Sequence, residues 1–154
     1  MRSITFLAAF VFISLSVFAQ DVTSLRKKHV NLDNGIAIKG YDPVAYFTQS
    51  KAVKGNSGLS VFYLGATYNF SSVANKETFK ASPAKYEPEY GGWCAYAMGK
   101  NGEKVSVDPE TFKFINGKLY LFYNKFLTNT LKDWNKNEAT LKKNADVNWP
   151  KLYQ

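Results

Sequence analysis

Hydrophobic and polar positions follow two different rhythms along the chain. Up to about residue 123, apolar and aromatic residues come in short runs broken by glycine, proline and asparagine. That is the pattern of short strands, turns and single-turn helices. It predicts a short strand at 36–38. Gly40-Tyr41-Asp42-Pro43 is then a turn in which Asp42 caps a helix and Pro43 opens it, running to Phe47. Residues 48–58 read as a surface loop. Strands at 60–64 and 67–70 form a hairpin around Gly65-Ala66. Ser71 or Ser72 caps a helix to about Lys80, with Val73 and Phe79 on its buried side, and Ser82-Pro83 opens a helical turn to Tyr86. Residues 93–98 fit a buried strand or a buried helical turn, since a wholly apolar run carries no period. Residues 104–107 read as a strand and Asp108-Pro109-Glu110 as a turn. Asn116-Gly117 between apolar-rich runs 111–115 and 118–123 is the strongest hairpin signal, because both turn residues tolerate positive φ. Beyond it the spacing lengthens. Leu127, Leu131 and Trp134, then Leu141, Ala145 and Trp149, make one stripe on each of two helices separated near 135–137 and followed by Pro150. The sum is an α+β domain: a small antiparallel β-sheet with hairpins, packed by short helices and two C-terminal helices.

The N-terminal end adds a different signal. Arg2 precedes an apolar run, and Val17-Phe18-Ala19 has the small-x-Ala form of a cleavage site, which predicts a signal peptide over 1–19. The run is shorter than the roughly 20 residues of a bilayer span, so cleavage leaves no transmembrane segment. The expectation is an exported protein, periplasmic or extracellular, with a loose polar lead at 20–34 and a single domain over 35–154. The formal charge of +8 is spread over separated lysines. Without a dense basic stripe the pattern argues against nucleic-acid binding and allows contact with an anionic surface. Cys94 is the only cysteine, so no intramolecular disulfide staples the fold.

Several separated blocks carry a resemblance. Gly40-Tyr41-Asp42-Pro43-Val44-Ala45-Tyr46-Phe47, Tyr68-x-Phe70, Asn75-Lys76, Tyr90-Gly91-Gly92-Trp93-Cys94-Ala95, Gly117-Lys118-Leu119-Tyr120-Leu121 and Trp149-Pro150 together resemble exported YHS-domain proteins. Metal-associated members of that group have cysteine after Asp-Pro-Val and a Phe-Cys-x-x-x-Cys block. Here those three positions are Ala45, Ser71 and Asn75. A methyl, a hydroxyl and an amide do not replace thiolates toward soft or borderline metals. The resemblance thus implies the fold and argues against the usual metal site.

Three readings of function follow. The first is a non-catalytic binding or interaction module for an unidentified small molecule or protein partner, with Tyr41, Tyr46, Tyr90, Trp93 and Cys94 lining a pocket between two turn-rich blocks. It needs no cofactor. The alternative is copper-type metal handling, with Cys94 as anchor and Met98 or His29 assisting, since sulfur and imidazole donors suit copper(I). The third is a thiol enzyme using Cys94, which would need a nearby cation, histidine or helix N-terminus to lower the thiol pKa. Asp42 and Asp108 precede proline, which favours turn capping over acid–base chemistry.

Overall fold

The computed structural model describes residues 23–153, so the expected signal peptide at 1–19 lies outside the described residues. The polar stretch expected as a loose lead instead begins with a helix, α1, over 23–29. Tertiary contacts hold it: Arg26 Nε donates to the Leu64 carbonyl at 3.3 Å, and His29 and Val30 are buried. Strands β1 (Leu32–Asp33) and β2 (Ile36–Ala37) follow as a minimal hairpin around Asn34-Gly35, both at positive φ.

The described elements then run α2 (Pro43–Gln49), β3 (Asn56–Tyr63), β4 (Ala66–Phe70), α3 (Val73–Ala81), α4 (Pro83–Tyr86), α5 (Ala95–Asn101), β5 (Asp108–Ile115), β6 (Lys118–Phe122), β7 (Asn124–Lys125), β8 (Thr128–Asn129), α6 (Thr130–Lys136) and α7 (Glu138–Lys151). The fold is α+β. One sheet has the order β1-β2-β4-β3, antiparallel except where Ile36 of β2 pairs with Thr67 of β4 in parallel. β5–β6 and β7–β8 are separate antiparallel hairpins. Among the described residues no helix is long and apolar enough to cross a membrane.

Strand β6 divides the interior. Leu119 and Leu121 face a first core with Val44, Tyr46, Tyr68, Phe70 and Phe79, whereas Tyr120 and Phe122 face a second with Met98, Trp134 and Ala145. Alternation along a strand buried on both sides explains why this run is apolar at nearly every position.

Several local expectations change. Residues 93–98 form no strand. Cys94 precedes helix α5, which packs against α7, and burial all round accounts for the missing period. Residues 104–107 form no strand; the Cys94 N–H donates to the Val105 carbonyl at 2.9 Å. Asp108-Pro109-Glu110 is not a free turn but the start of β5, with an irregular register before Phe112. The loop expected over 48–58 ends where β3 begins at Asn56. Phe79 is buried as expected, but Val73, in the first turn of α3, is exposed. Leu127 lies outside α6 in the β7–β8 turn, and Pro150 falls inside α7 rather than after it.

Candidate functional site

The five residues expected to line one pocket do not meet in one. Tyr46 is fully buried; its hydroxyl donates to the Pro109 carbonyl at 2.9 Å and its ring stands edge-on to Phe112. Tyr41 is half-buried, its hydroxyl donates to Glu110 Oε1 at 2.9 Å, and Lys54 Nζ lies 4.4 Å from its ring centroid. Trp93 Nε1 donates to the His29 carbonyl at 2.6 Å. Cys94 is fully buried in the first core, where Sγ accepts the Tyr123 N–H at 3.4 Å and lies 3.4 Å from Thr130 Oγ1. Of the five, Tyr90 borders the cavity described below.

The alternative ligand set is likewise engaged elsewhere. Met98 sits one turn after Cys94 but packs in the second core. The His29 ring stacks on Tyr153, and Lys104 Nζ lies 3.0 Å from its Nδ1, an arrangement in which neutral imidazole accepts from the ammonium. Among the described residues no group of three or more His, Cys, Asp or Glu side chains is placed to hold a metal ion.

Burial first, then the charges of Lys104 and Lys28, hold the His29 pKa below its ordinary value of 6.5. The folded chain therefore binds this proton less readily than the unfolded chain. Its contribution to stability is present above the unfolded pKa and is lost as pH falls through about 6.5 toward the depressed folded value. Thermal melts should show the transition falling between pH 7.5 and 5, and His29→Gln should flatten that part of the profile. An equal decline in the variant would assign the effect to other groups.

The three positions where the resemblance would place thiols do come together, around the buried Asp42 carboxylate. Oδ1 accepts from the N–H groups of Val44 and Ala45 at 2.9 and 3.2 Å, capping α2. Oδ2 accepts from the Ser71 N–H at 2.8 Å, the Ser71 hydroxyl at 2.6 Å and Asn75 Nδ2 at 2.7 Å. Five donors fill the carboxylate, and no thiolate is among the neighbours. The residues present do not fit a metal centre of the thiolate type; this is a hydrogen-bonded clasp between α2, β4 and α3.

The cavity lies elsewhere, where α1, the 87–92 turn and the end of α7 converge. It encloses about 210 Å³. Its polar side is a chain of contacts centred on Glu87, whose Oε1 accepts from both Arg26 Nη2 and the Tyr68 hydroxyl. Burial first, and then Glu87, keep the Tyr68 pKa well above the ordinary phenol value, so it remains a donor at neutral pH. Glu87 Oε2 accepts no hydrogen bond from the described residues, and of the five Arg26 N–H groups only those on Nε and one on Nη2 are used there. Tyr90, Trp149 and Tyr153 supply aromatic wall. The Tyr90 hydroxyl is fixed by Asp146 Oδ1 at 2.8 Å.

The backbone here is unusual. Tyr90, Gly91 and Gly92 all have left-handed φ, of 54°, 60° and 78°. A tyrosine in that region is disfavoured, and such residues cluster at sites the surrounding structure holds in place. Gly91 is required on steric grounds too: a Cβ there would lie 2.8 Å from the Trp149 ring. Sequence reasoning found Tyr90 but missed Arg26, Glu87, Trp149 and Tyr153 as site residues. A second cleft, between Lys39, Lys54 and Asn69, contains none of the expected residues.

Compared with protein-family models, curated proteins and solved structures, the chain matches none.

Proposed function

We propose that the chain is a non-catalytic binding module, exported and of the YHS type, whose ligand occupies the Arg26–Glu87 cavity. The observation that carries this reading is bonding capacity there that the described residues leave unused. Glu87 Oε2 and the remaining Arg26 N–H groups sit beside three aromatic side chains in a concave space, where polar groups converge on an aromatic wall. The volume falls below the roughly 300–1,000 Å³ of pockets for drug-sized ligands. The ligand is therefore small, of amino-acid or monosaccharide size, with polar groups for Glu87 and Arg26 and a face for the rings. Cys94 stands at the N-terminus of α5, but it is fully buried with the Tyr123 N–H and Thr130 as its hydrogen-bonding neighbours, so burial disfavours the nucleophile reading.

The test is a melting-temperature screen with free amino acids, small carboxylates and monosaccharides. At a hundredfold excess over Kd, linkage gives about 2.7 kcal/mol, or roughly 5–10 °C for a domain of this size. At least one class should produce such a shift, and Glu87→Gln and Trp149→Ala should reduce it. No shift with any class, or a shift unchanged in both variants, would remove the cavity as the site.

A further inference from the structure

The β7–β8 turn breaks the rule that the chain's other two-residue turns obey. Asn34-Gly35, Leu64-Gly65 and Asn116-Gly117 each place glycine at the second turn position, with positive φ at both residues. In β7–β8 the two turn residues are Phe126 and Leu127, at φ of 49° and 66°. Left-handed backbone is disfavoured for residues with a side chain, and such turns ordinarily take Asn-Gly or Gly-Gly. Burial against the described residues does not offset this. Phe126 keeps 90% of its surface in solvent and Leu127 all of it.

The base of this hairpin is held firmly. Asn124 Nδ2 donates to Thr111 Oγ1 at 3.0 Å, and the Thr130 N–H and hydroxyl donate to the Tyr123 carbonyl at 3.0 and 2.9 Å. Two large apolar side chains are thus presented on a fixed, convex tip. Lys125 precedes them in the chain and is exposed, and Lys39 lies near enough to feel its charge, with Asp33 and Asp108 also in reach of Lys39.

We propose that the Phe126-Leu127 tip is a membrane-contact element that inserts into the headgroup boundary of an anionic lipid bilayer. The shape selects this occupant. Two side chains on a convex turn cannot supply the roughly 800 Å² per partner of a stable protein interface. A bilayer asks for no shape complementarity, only for apolar groups that reach the acyl boundary beside cations. The excess of lysine over acidic residues, which persists without residues 1–19, draws the chain toward anionic lipid. This inference is independent of the cavity and its ligand.

The experiment is co-sedimentation of the chain without the signal peptide, residues 20–154, with vesicles of mixed phosphatidylglycerol and phosphatidylcholine, and with phosphatidylcholine alone. The comparison is between wild type and the double substitution F126N/L127G. That variant supplies favoured turn residues, so its melting temperature should rise by a few degrees while partitioning to the anionic vesicles falls at least about tenfold. Wild-type binding should also weaken with salt. Wild type and variant partitioning within about twofold of each other would overturn the proposal. So would loss of self-association on size exclusion with vesicle binding unchanged, which would make the tip a contact between protein copies.

Discussion

Replacing Asp42 with alanine is expected to lower the unfolding free energy by about 3–5 kcal/mol, the range for removing one partner from a buried charged network. The carboxylate is fully enclosed and receives five hydrogen bonds from Val44, Ala45, Ser71 and Asn75. Its deletion leaves those donors without an acceptor. Asp42→Asn separates the two tasks of the side chain. Asparagine caps helices about as well as aspartate, so the α2 cap survives through its oxygen. Its amide nitrogen then faces the Ser71 and Asn75 donors, and the clasp is lost. Urea unfolding should therefore show the asparagine variant losing more than half of what alanine loses. An asparagine variant within about 0.5 kcal/mol of wild type would mean that the cap alone matters and that the clasp adds no stability.

This clasp shows which parts of the structure were legible. Asp42-Pro43 predicted a capped helix, and α2 begins there with Asp42 accepting from Val44 and Ala45. Ser72 caps α3, and Asn116-Gly117 turns β5 into β6, each as local rules require. Such signals work because cap and turn energies depend on residues a few positions apart. The same Asn-Gly signal at Asn34-Gly35 passed unread, because strands of two residues leave no alternation on either side. Helix α5 was ambiguous for a related reason: a segment buried between β6 and α7 needs no polar face. The polar sequence of α1 concealed a helix held by contacts far along the chain, through Arg26, His29 and, just after it, Asn31.

The site was less legible than the fold. Tyr41 and Tyr46 belong to one motif block and Tyr90, Trp93 and Cys94 to another, and closeness within a block suggested a shared pocket. The tyrosines of the first block instead turn toward Pro109 and Glu110. The turn at Tyr90-Gly91-Gly92 borders the Arg26–Glu87 cavity, and other walls come from Arg26, Glu87, Trp149 and Tyr153. Arg26 and Glu87 stand 61 positions apart. No local spacing brings them together; the docking of α1 against the 87–92 turn does, and α7 adds Trp149 to the wall.

The docking of α7 depends on a residue without a side chain. Gly99 lies in α5 where that helix crosses α7, and a Cβ built on it would sit 2.3 Å from the Leu141 carbonyl oxygen and 2.9 Å from its carbon. Those atoms are backbone, so the overlap is relieved only by moving one helix. The same close approach lets Asn148 Nδ2 donate to the Met98 carbonyl at 3.0 Å. Gly99→Ala should therefore destabilise the fold, although alanine is the better helix former by about 1 kcal/mol. Overpacking costs about 1–3 kcal/mol and occasionally more, and with backbone as the obstacle the cost exceeds the propensity gain. Lys100→Ala, one position on and exposed, should stay within about 0.5 kcal/mol of wild type. Because α7 also carries Trp149, the displaced helix should carry the cavity wall with it. The Gly99→Ala protein should then show both a lower melting temperature and a smaller shift with any compound that binds the wild type. A Gly99→Ala protein as stable as wild type would mean that α5 and α7 do not pack this closely, and would detach the shape of the cavity from the position of residue 99.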